Sequence, residues 1–375
     1  MKIVQLYDHF QERGGVERVI SMLANGWRAR GHEVALVVRQ GCIGQVYPLD
    51  PGVRRYSLRS SRPRGRFGRM LGYALDLVRL RRHRVVREAD VVIANGPWCA
   101  LLMLLAWRVP HRGRRSPAII LCDHNSPDAF GAATRWLGRR LYGLADDVVA
   151  LTAQQANQYR PYASRVTVLP NPVEIPPASK LAQVAQSRIL LAAGRLTPQK
   201  GYDLLLQAWH QANPGLPEYR LRIVGDGPEQ AKLTALATEL GVDDRVTFVP
   251  ATDDLASHYT EAAAFILSSR HEGLPLVLLE ALAHGLPVVA FDCDYGPRQV
   301  IRPGQNGLLC EPENPAALAA ALLDALRDPA ALDAMAAEAR HSAQAYALPE
   351  VLDRWEALLV SLNVPAHQRP NSPPA

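Results

Sequence analysis

The sequence predicts an α/β protein of two parallel-sheet domains, and three observations carry that expectation. The chain has 375 residues, more than one hydrophobic core usually holds, so two domains are expected. Short apolar runs alternate with amphipathic stretches of helical length, the pattern of strands joined by crossover helices. The strand-like runs end in polar tips, many bearing glycine, and parallel sheets bind ligands at those carboxyl ends.

Composition bounds the function classes. Hydrophobic residues make up 48% of the chain and charged residues 21%, as in folded soluble proteins. The five cysteines, Cys42, Cys99, Cys122, Cys293 and Cys310, are scattered and never paired as C-x-x-C. They read as reduced thiols of a cytosolic protein, neither a disulfide framework nor a zinc site. MKIVQLYDHF has no apolar run of signal-peptide length before Asp8. The longest apolar stretch, Trp98 to Trp107, is a core helix too short to cross a bilayer.

The net charge of +6 is uneven. From Arg54 to Arg87 arginines crowd beside Phe67, Met70, Leu71, Tyr73, Leu75, Leu77, Val78 and Leu80. Such a segment either lies on an anionic membrane surface or is a solvated arginine-rich face. Nucleic acid is not an expected partner, because no recognition motif accompanies the charge.

In order, Lys2 to Tyr7 is a strand. Val16, Val19, Ile20, Leu23 and Trp27 then form one helical stripe, closed by Gly31, and His32 to Val38 is the next strand. Beyond the arginine-rich segment come a strand and turn at Asp90 to Gly96 and a helix at Trp98 to Arg108. A strand follows at Ala118 to Asn125, then a helix at Asp128 to Leu144, a strand at Asp147 to Thr152, a helix at Ala153 to Tyr162 and a strand in RVTVLPNPV. Pro170 to Ser187 is expected to be a linker. The second domain then repeats the alternation: strands in RILLAAGRL, LRIVGDGPE, RVTFV and AAFILSS, a helix from Leu274 to His284, and strands at Val288 to Phe291 and near Gly307 to Pro312. Two helices between Pro315 and Tyr346 break at Asp328-Pro329, a last helix spans Glu350 to Leu362, and PAHQRPNSPPA is a disordered tail.

The residues with chemistry sit at the tips: Gly14-Gly15, Asn95-Gly96, Asp123-His124-Asn125, Gly194-Arg195, Gln199-Lys200-Gly201 and Gly225-Asp226-Gly227-Pro228. Arginine and lysine beside a helix N-terminus suit phosphates; alone, Arg195 would also serve as a surface ion-pair partner. No G-x-G-x-x-G stands at Gly14-Gly15, which counts against a nicotinamide dehydrogenase. His124 alone reads more readily as a structural histidine than as a functional one. The helix LPLVLLEALAH is apolar nearly all round except for Glu280, and a buried carboxylate needs donors. Glu272 stands eight positions earlier at the helix mouth. Asp292-Cys293-Asp294 lacks the further ligands of a metal shell, so neither a metal nor a cofactor is expected.

Together GGVE, GRLTPQKG, VGDGPE and above all EGLPLVLLEALAHGLPVVA resemble the retaining glycosyltransferases of family 4, which have the GT-B fold. The resemblance implies two facing Rossmann-like domains, an acceptor-side domain over 1–175 and a nucleotide-sugar-binding domain over 186–346, with a C-terminal helix (348–363) returning to the first and a disordered tail, 364–375. It implies a donor in the cleft, with Arg195 and Lys200 on its diphosphate and Gly15 closing on it. Glu280 would take the ribose hydroxyls and Glu272 a sugar hydroxyl; Gly273, Leu274 and Pro275 would contact the sugar. Gly225, Val249 and Pro250 would flank the nucleotide and its base, and His124 would face the reacting carbon. His124, Glu272, Arg195 and Lys200 are thus the expected catalytic set. Gln299 stands where the family usually carries glutamate, which leaves the donor sugar open.

The expected activity is metal-independent transfer, with retention, of a hexose or N-acetylhexosamine from a nucleotide sugar, chiefly UDP-linked, to a lipid-linked or cell-surface glycan. The place is the cytoplasm, peripheral on the inner face of the plasma membrane. The rivals are a nucleotide-sugar epimerase, a sugar-phosphate-accepting synthase of the same fold, and a non-catalytic sugar-nucleotide binder.

Overall fold

A computed structural model of the chain describes residues 1–11, 13–41, 43–44, 46–59, 65–108, 116–124 and 132–362, and of residues 65–71 and 132–135 the backbone alone. The described residues form two compact units, Met1–Pro172 together with the last helix, and Val173–Ala347.

The first unit is built on β1 (Lys2–Tyr7), β2 (Glu33–Val38), β3 (Arg54–Ser57), β4 (Val91–Asn95), β5 (Ala118–Cys122), β6 (Asp147–Ala150) and β7 (Val166–Val168). They make one parallel sheet in the order β3-β2-β1-β4-β5-β6-β7. The crossovers are α1 (Gly15–Ala29), α2 (Gly65–Arg82), α3 (Arg84–Arg87), α4 (Pro97–Trp107), α5 (Ala132–Leu141) and α6 (Ala153–Tyr159). The central strands are continuous runs of Val, Ile, Leu and Ala because helices cover both faces of a parallel sheet. Every residue of β4 is buried.

The arginine-rich segment is more ordered than its composition suggests. It holds β3 and α2, elements hidden because arginines interrupt the apolar period. Tyr73, Leu77 and Leu80, spaced four and three apart on α2, pack on the core. Asp76, on the same stripe, is fully buried between Arg59 (2.7 Å) and Arg39 (3.3 Å). Part of the apolar surface expected to meet a membrane therefore serves the core. Leu75, Val78, Arg79 and Arg82 stay exposed on the opposite face. Arg62 and Arg64 lie outside the described residues.

The second unit contains β8 (Ile189–Ala193), β9 (Arg220–Val224), β10 (Val246–Val249), β11 (Ala264–Leu267), β12 (Val288–Phe291) and β13 (Gly307–Cys310), parallel in the order β10-β9-β8-β11-β12-β13. Its helices are α7 (Tyr202–Ala212), α8 (Gln230–Glu239), α9 (Leu255–Thr260), α10 (Leu276–Ala283), α11 (Pro297–Val300), α12 (Pro315–Ala325) and α13 (Pro329–Ala343). The last helix, α14 (Leu348–Ser361), packs on α1 of the first unit. Trp355 meets Trp27 edge-on at 5.6 Å, and Arg30 pairs with Asp353 at 2.6 Å and Glu356 at 3.2 Å. Gly26 makes room, since a Cβ there would lie 2.4 Å from Leu352.

Most of the expected linker is part of the second unit. Val173 bridges Ala347, the Ala182 N–H donates to the His284 carbonyl at 2.9 Å, and Val184 is buried. Prolines mask these contacts in the sequence. The helix expected from Asp128 to Leu144 is α5 followed by a 3-10 turn at Tyr142–Leu144. Asp128, Asn125, Cys42 and the 364–375 tail lie outside the described residues.

Candidate active site

In both sheets the strand order reverses once, between β1 and β4 in the first and between β8 and β11 in the second. At such a point the loops leaving two adjacent strands diverge and open a crevice at their carboxyl ends. Gly194 to Gly201 leave β8, and Ser268 to Pro275 leave β11. The sequence's main candidates therefore face one another at the switch point of the second unit.

Lys200 ends a short 3-10 turn, Pro198–Lys200, and its Nζ donates to Glu272 Oε1 at 2.6 Å. The same oxygen accepts from Ser269 Oγ at 2.7 Å. Both loops are stitched together behind this pair. Arg270 binds the two oxygens of Asp203 at 2.9 and 2.7 Å and the Pro198 carbonyl at 2.7 Å, and its own N–H donates to the Gln199 carbonyl. Gly201 permits the approach: its φ is +63°, and a Cβ would sit 2.1 Å from the Ser268 carbonyl oxygen. Arg195, beside Gly194, is exposed.

Glu280 lies on α10, buried to 4% exposure. The donor that such an acid requires is Tyr259 of α9, whose hydroxyl reaches Oε2 at 2.9 Å. Gly273, Leu274 and Pro275 lead into α10 and are buried; the Gly273 carbonyl lies 2.3 Å from where a Cβ on Gly296 would stand. Gly225 leaves β9 and donates its N–H to the Val249 carbonyl at 2.8 Å, placing Gly225, Val249 and Pro250 at adjacent strand ends. Asp292 is paired with Arg298 and Asp294 is exposed.

In the first unit Gly14 caps α1 and Gly15 is its first residue. His124 follows β5, next to β4, and its Nε2 lies 2.8 Å from Asn95 Oδ1. The Asn95 amide nitrogen faces three acceptors, Gln5 Oε1, Leu6 O and Ile93 O, at 3.3–3.4 Å. This fixes Oδ1 toward His124 and makes Nε2–H the donor, leaving Nδ1 as the acceptor of a neutral ring. Burial pushes the His124 pKa down to about 4, and a side-chain hydrogen bond with Asn171 opposes the shift. Asp123 is structural, its Oδ2 held by the Tyr159 hydroxyl at 2.6 Å.

A depressed histidine makes stability depend on pH. Above the ordinary value of about 6.5 neither state is protonated; below it the unfolded chain takes a proton that the folded site refuses. Stability therefore falls as pH drops from about 6.5 toward about 4. Between about pH 7.5 and about pH 5 the protein should lose about 2 kcal/mol more than the His124→Gln variant, read from denaturant titrations. Equal losses would rule out a ring held neutral in the folded protein.

Sequence reasoning missed Ser269, Tyr259 and Asn171. Ser269 was legible as a hydroxyl three residues before Glu272. Tyr259 was not, because the six-residue α9 is too short for a period.

The two parallel-sheet units have the GT-B fold. The model of Glycosyltransferase Family 4 matches residues 13–175, and that of Glycosyl transferases group 1 matches residues 178–342. An uncharacterized glycosyltransferase of Haemophilus influenzae is 28% identical over 92% of this chain and 96% of its own. The amylovoran biosynthesis glycosyltransferase AmsD of Erwinia amylovora is 30% identical over 80% of this chain and 84% of its own. The chain belongs to the family-4 glycosyltransferases. Among solved structures, sucrose-phosphate synthase of Thermosynechococcus elongatus superposes with a TM-score of 0.81 at 21% identity, over 97% of this chain and 99% of that one. Anabaena HepE, in complex with UDP and glucose, does so with 0.76 at 19%, over 96% and 100%. These likenesses carry the fold.

Proposed function

We propose that the protein transfers a hexose or N-acetylhexosamine from a UDP-linked donor to a lipid-linked or cell-surface glycan, with retention at the anomeric carbon. The observation that carries this reading is the juxtaposition at one crevice of Lys200 on Glu272, with Glu280 on the helix that follows. The diphosphate takes Lys200 and Arg195, and Gly225, Val249 and Pro250 flank the nucleotide. The ribose hydroxyls donate to Glu280. The sugar lies against Gly273, Leu274 and Pro275, its hydroxyl on Glu272. UDP in the HepE structure and the lipopolysaccharide core biosynthesis in the name of the Rhizobium meliloti relative LpsE support the donor and acceptor classes.

Retention follows from attack on the face that the leaving group vacates. The bond from the anomeric carbon to the phosphate oxygen breaks, the acceptor oxygen bonds to that carbon, and the acceptor proton passes to a diphosphate oxygen. The cations of Arg195 and Lys200 meet charge as it develops on the diphosphate, where fixed charge lowers a barrier most.

The reading is tested by nucleotide release from a panel of nucleotide sugars, with and without membrane lipid extract. UDP release that requires the extract is expected. Release only with a sugar phosphate would make it a synthase, sugar interconversion an epimerase, and no turnover a binding protein. Calorimetry with Glu280→Ala should show UDP affinity reduced about 100-fold or more, the worth of two hydrogen bonds to a charged group. Unchanged affinity would remove the ribose assignment.

No helix of the described residues is long and apolar enough to cross a membrane. We place the protein in the cytoplasm, on the inner face of the plasma membrane, through the Arg54–Arg87 segment. Leu75, Val78, Arg79 and Arg82 on the outer face of α2 combine apolar and cationic side chains as an anionic surface demands. The triple variant Leu75→Glu, Val78→Glu, Arg82→Glu should bind anionic vesicles roughly tenfold less. Unaltered flotation would leave α2 as a solvated face.

A further inference from the structure

We propose that Tyr259 is a positioning residue for the nucleotide ribose, its hydroxyl holding one oxygen of Glu280 so that the carboxylate is set for the two ribose hydroxyls. The proposal rests on the ribose reading of Glu280 and adds the group that prepares it.

Tyr259 is 1% exposed, on the six-residue helix α9. A helix that short has little stability of its own, so its geometry comes from contacts. The Asp254 side chain caps it at the Ser257 N–H, 3.2 Å away. The Tyr259 ring stacks on His284 at 4.9 Å with 29° between planes, and lies 5.9 Å from Phe265. His284 is itself tied to α10, its Nδ1 lying 2.8 Å from the Glu280 carbonyl oxygen. Since a carbonyl can only accept, Nδ1 carries the proton. Glu280 is thus gripped at both ends, its backbone by His284 and its carboxylate by Tyr259.

Packing alone needs only the ring, and a phenylalanine would supply it. The hydroxyl is the additional chemistry. It makes a charge-assisted bond at 2.9 Å in a buried place, where such bonds are strongest. A glutamate side chain turns about three bonds, and fixing one oxygen removes most of that freedom before ligand arrives. Binding then costs less, as for any preorganised site.

The test is calorimetry of Tyr259→Phe, Glu280→Ala and wild type with UDP and with 2′,3′-dideoxyuridine diphosphate. Tyr259→Phe should weaken UDP roughly tenfold and leave the dideoxy ligand unchanged, the effect of one hydrogen bond to a charged group. KM for the nucleotide sugar should rise by a similar factor with kcat within about twofold, because ribose contacts are the same in ground and transition states. Equal weakening of both ligands would make the hydroxyl merely structural and overturn the proposal. Wild-type UDP affinity in Tyr259→Phe, with Glu280→Ala weakened, would overturn it while leaving the ribose reading intact. Wild-type affinity in Glu280→Ala would remove the ribose reading, and the proposal with it.

Discussion

Replacing Lys200 by alanine should lower kcat by about 100- to 1000-fold while UDP affinity falls only about tenfold. The asymmetry follows from where the ammonium stands. In the structure it neutralises Glu272 across 2.6 Å, and Ser269 shares the same oxygen. On the proposed reading, a diphosphate arriving at this crevice would compete for Lys200 and a sugar hydroxyl for the carboxylate. Charge on the diphosphate grows as the glycosidic bond breaks, so a fixed cation matters more in the transition state than in the bound ground state. Lys200→Arg should not restore activity, since a planar fork on a different stem cannot occupy the place of a compact ammonium. The measurement is steady-state nucleotide release beside a thermal midpoint. A loss of less than about tenfold in kcat would take Lys200 out of leaving-group stabilisation.

Gly225→Ala should cost about 3 kcal/mol or more, through two additive causes. Its φ of +149° lies where L side chains rarely go, and a Cβ would stand 2.0 Å from the Gly194 carbonyl oxygen. That neighbour is backbone at the end of β8 and cannot swing aside, so β8 and β9 must part at their tips. Arg195 follows Gly194 directly, and the same displacement should lower turnover. Gly241→Ala is the matched control: φ is +65°, but nothing lies within 4 Å of the added carbon. It should cost about 1 kcal/mol. Equal losses in the two variants, by denaturant titration, would show that strain alone acts and that the close approach is unimportant.

How far the sequence could be read depended on whether a residue's role is local. The β1-turn-α1 opening and the stretch around α10 were legible because burial leaves periodic or unbroken apolar runs. Glu280 stood out for the same reason, as one acid in an apolar helix. Strand β3 and helix α2 were not, since their core-facing Tyr73, Leu77 and Leu80 alternate with arginines that bind distant backbone. Arg81, for instance, donates to the Leu105 and Ala106 carbonyls at the end of α4. Tyr259 was hidden because its partner is 21 residues away, and no local pattern announces a tertiary hydrogen bond. The crowding at Gly225 has the same origin, a contact between loops of two different strands.

The docking of α14 on α1 sets an order of events during synthesis. Trp27 waits for Trp355, so the first unit emerges from the ribosome with its earliest helix uncovered. The whole of the second unit must be made before the covering helix exists. Domains usually mature in the order of translation, but here the unit begun first is completed last. For that interval the apolar face of α1 is a natural client surface for chaperones, and a chain stopped just before Leu348 would keep that exposure permanently.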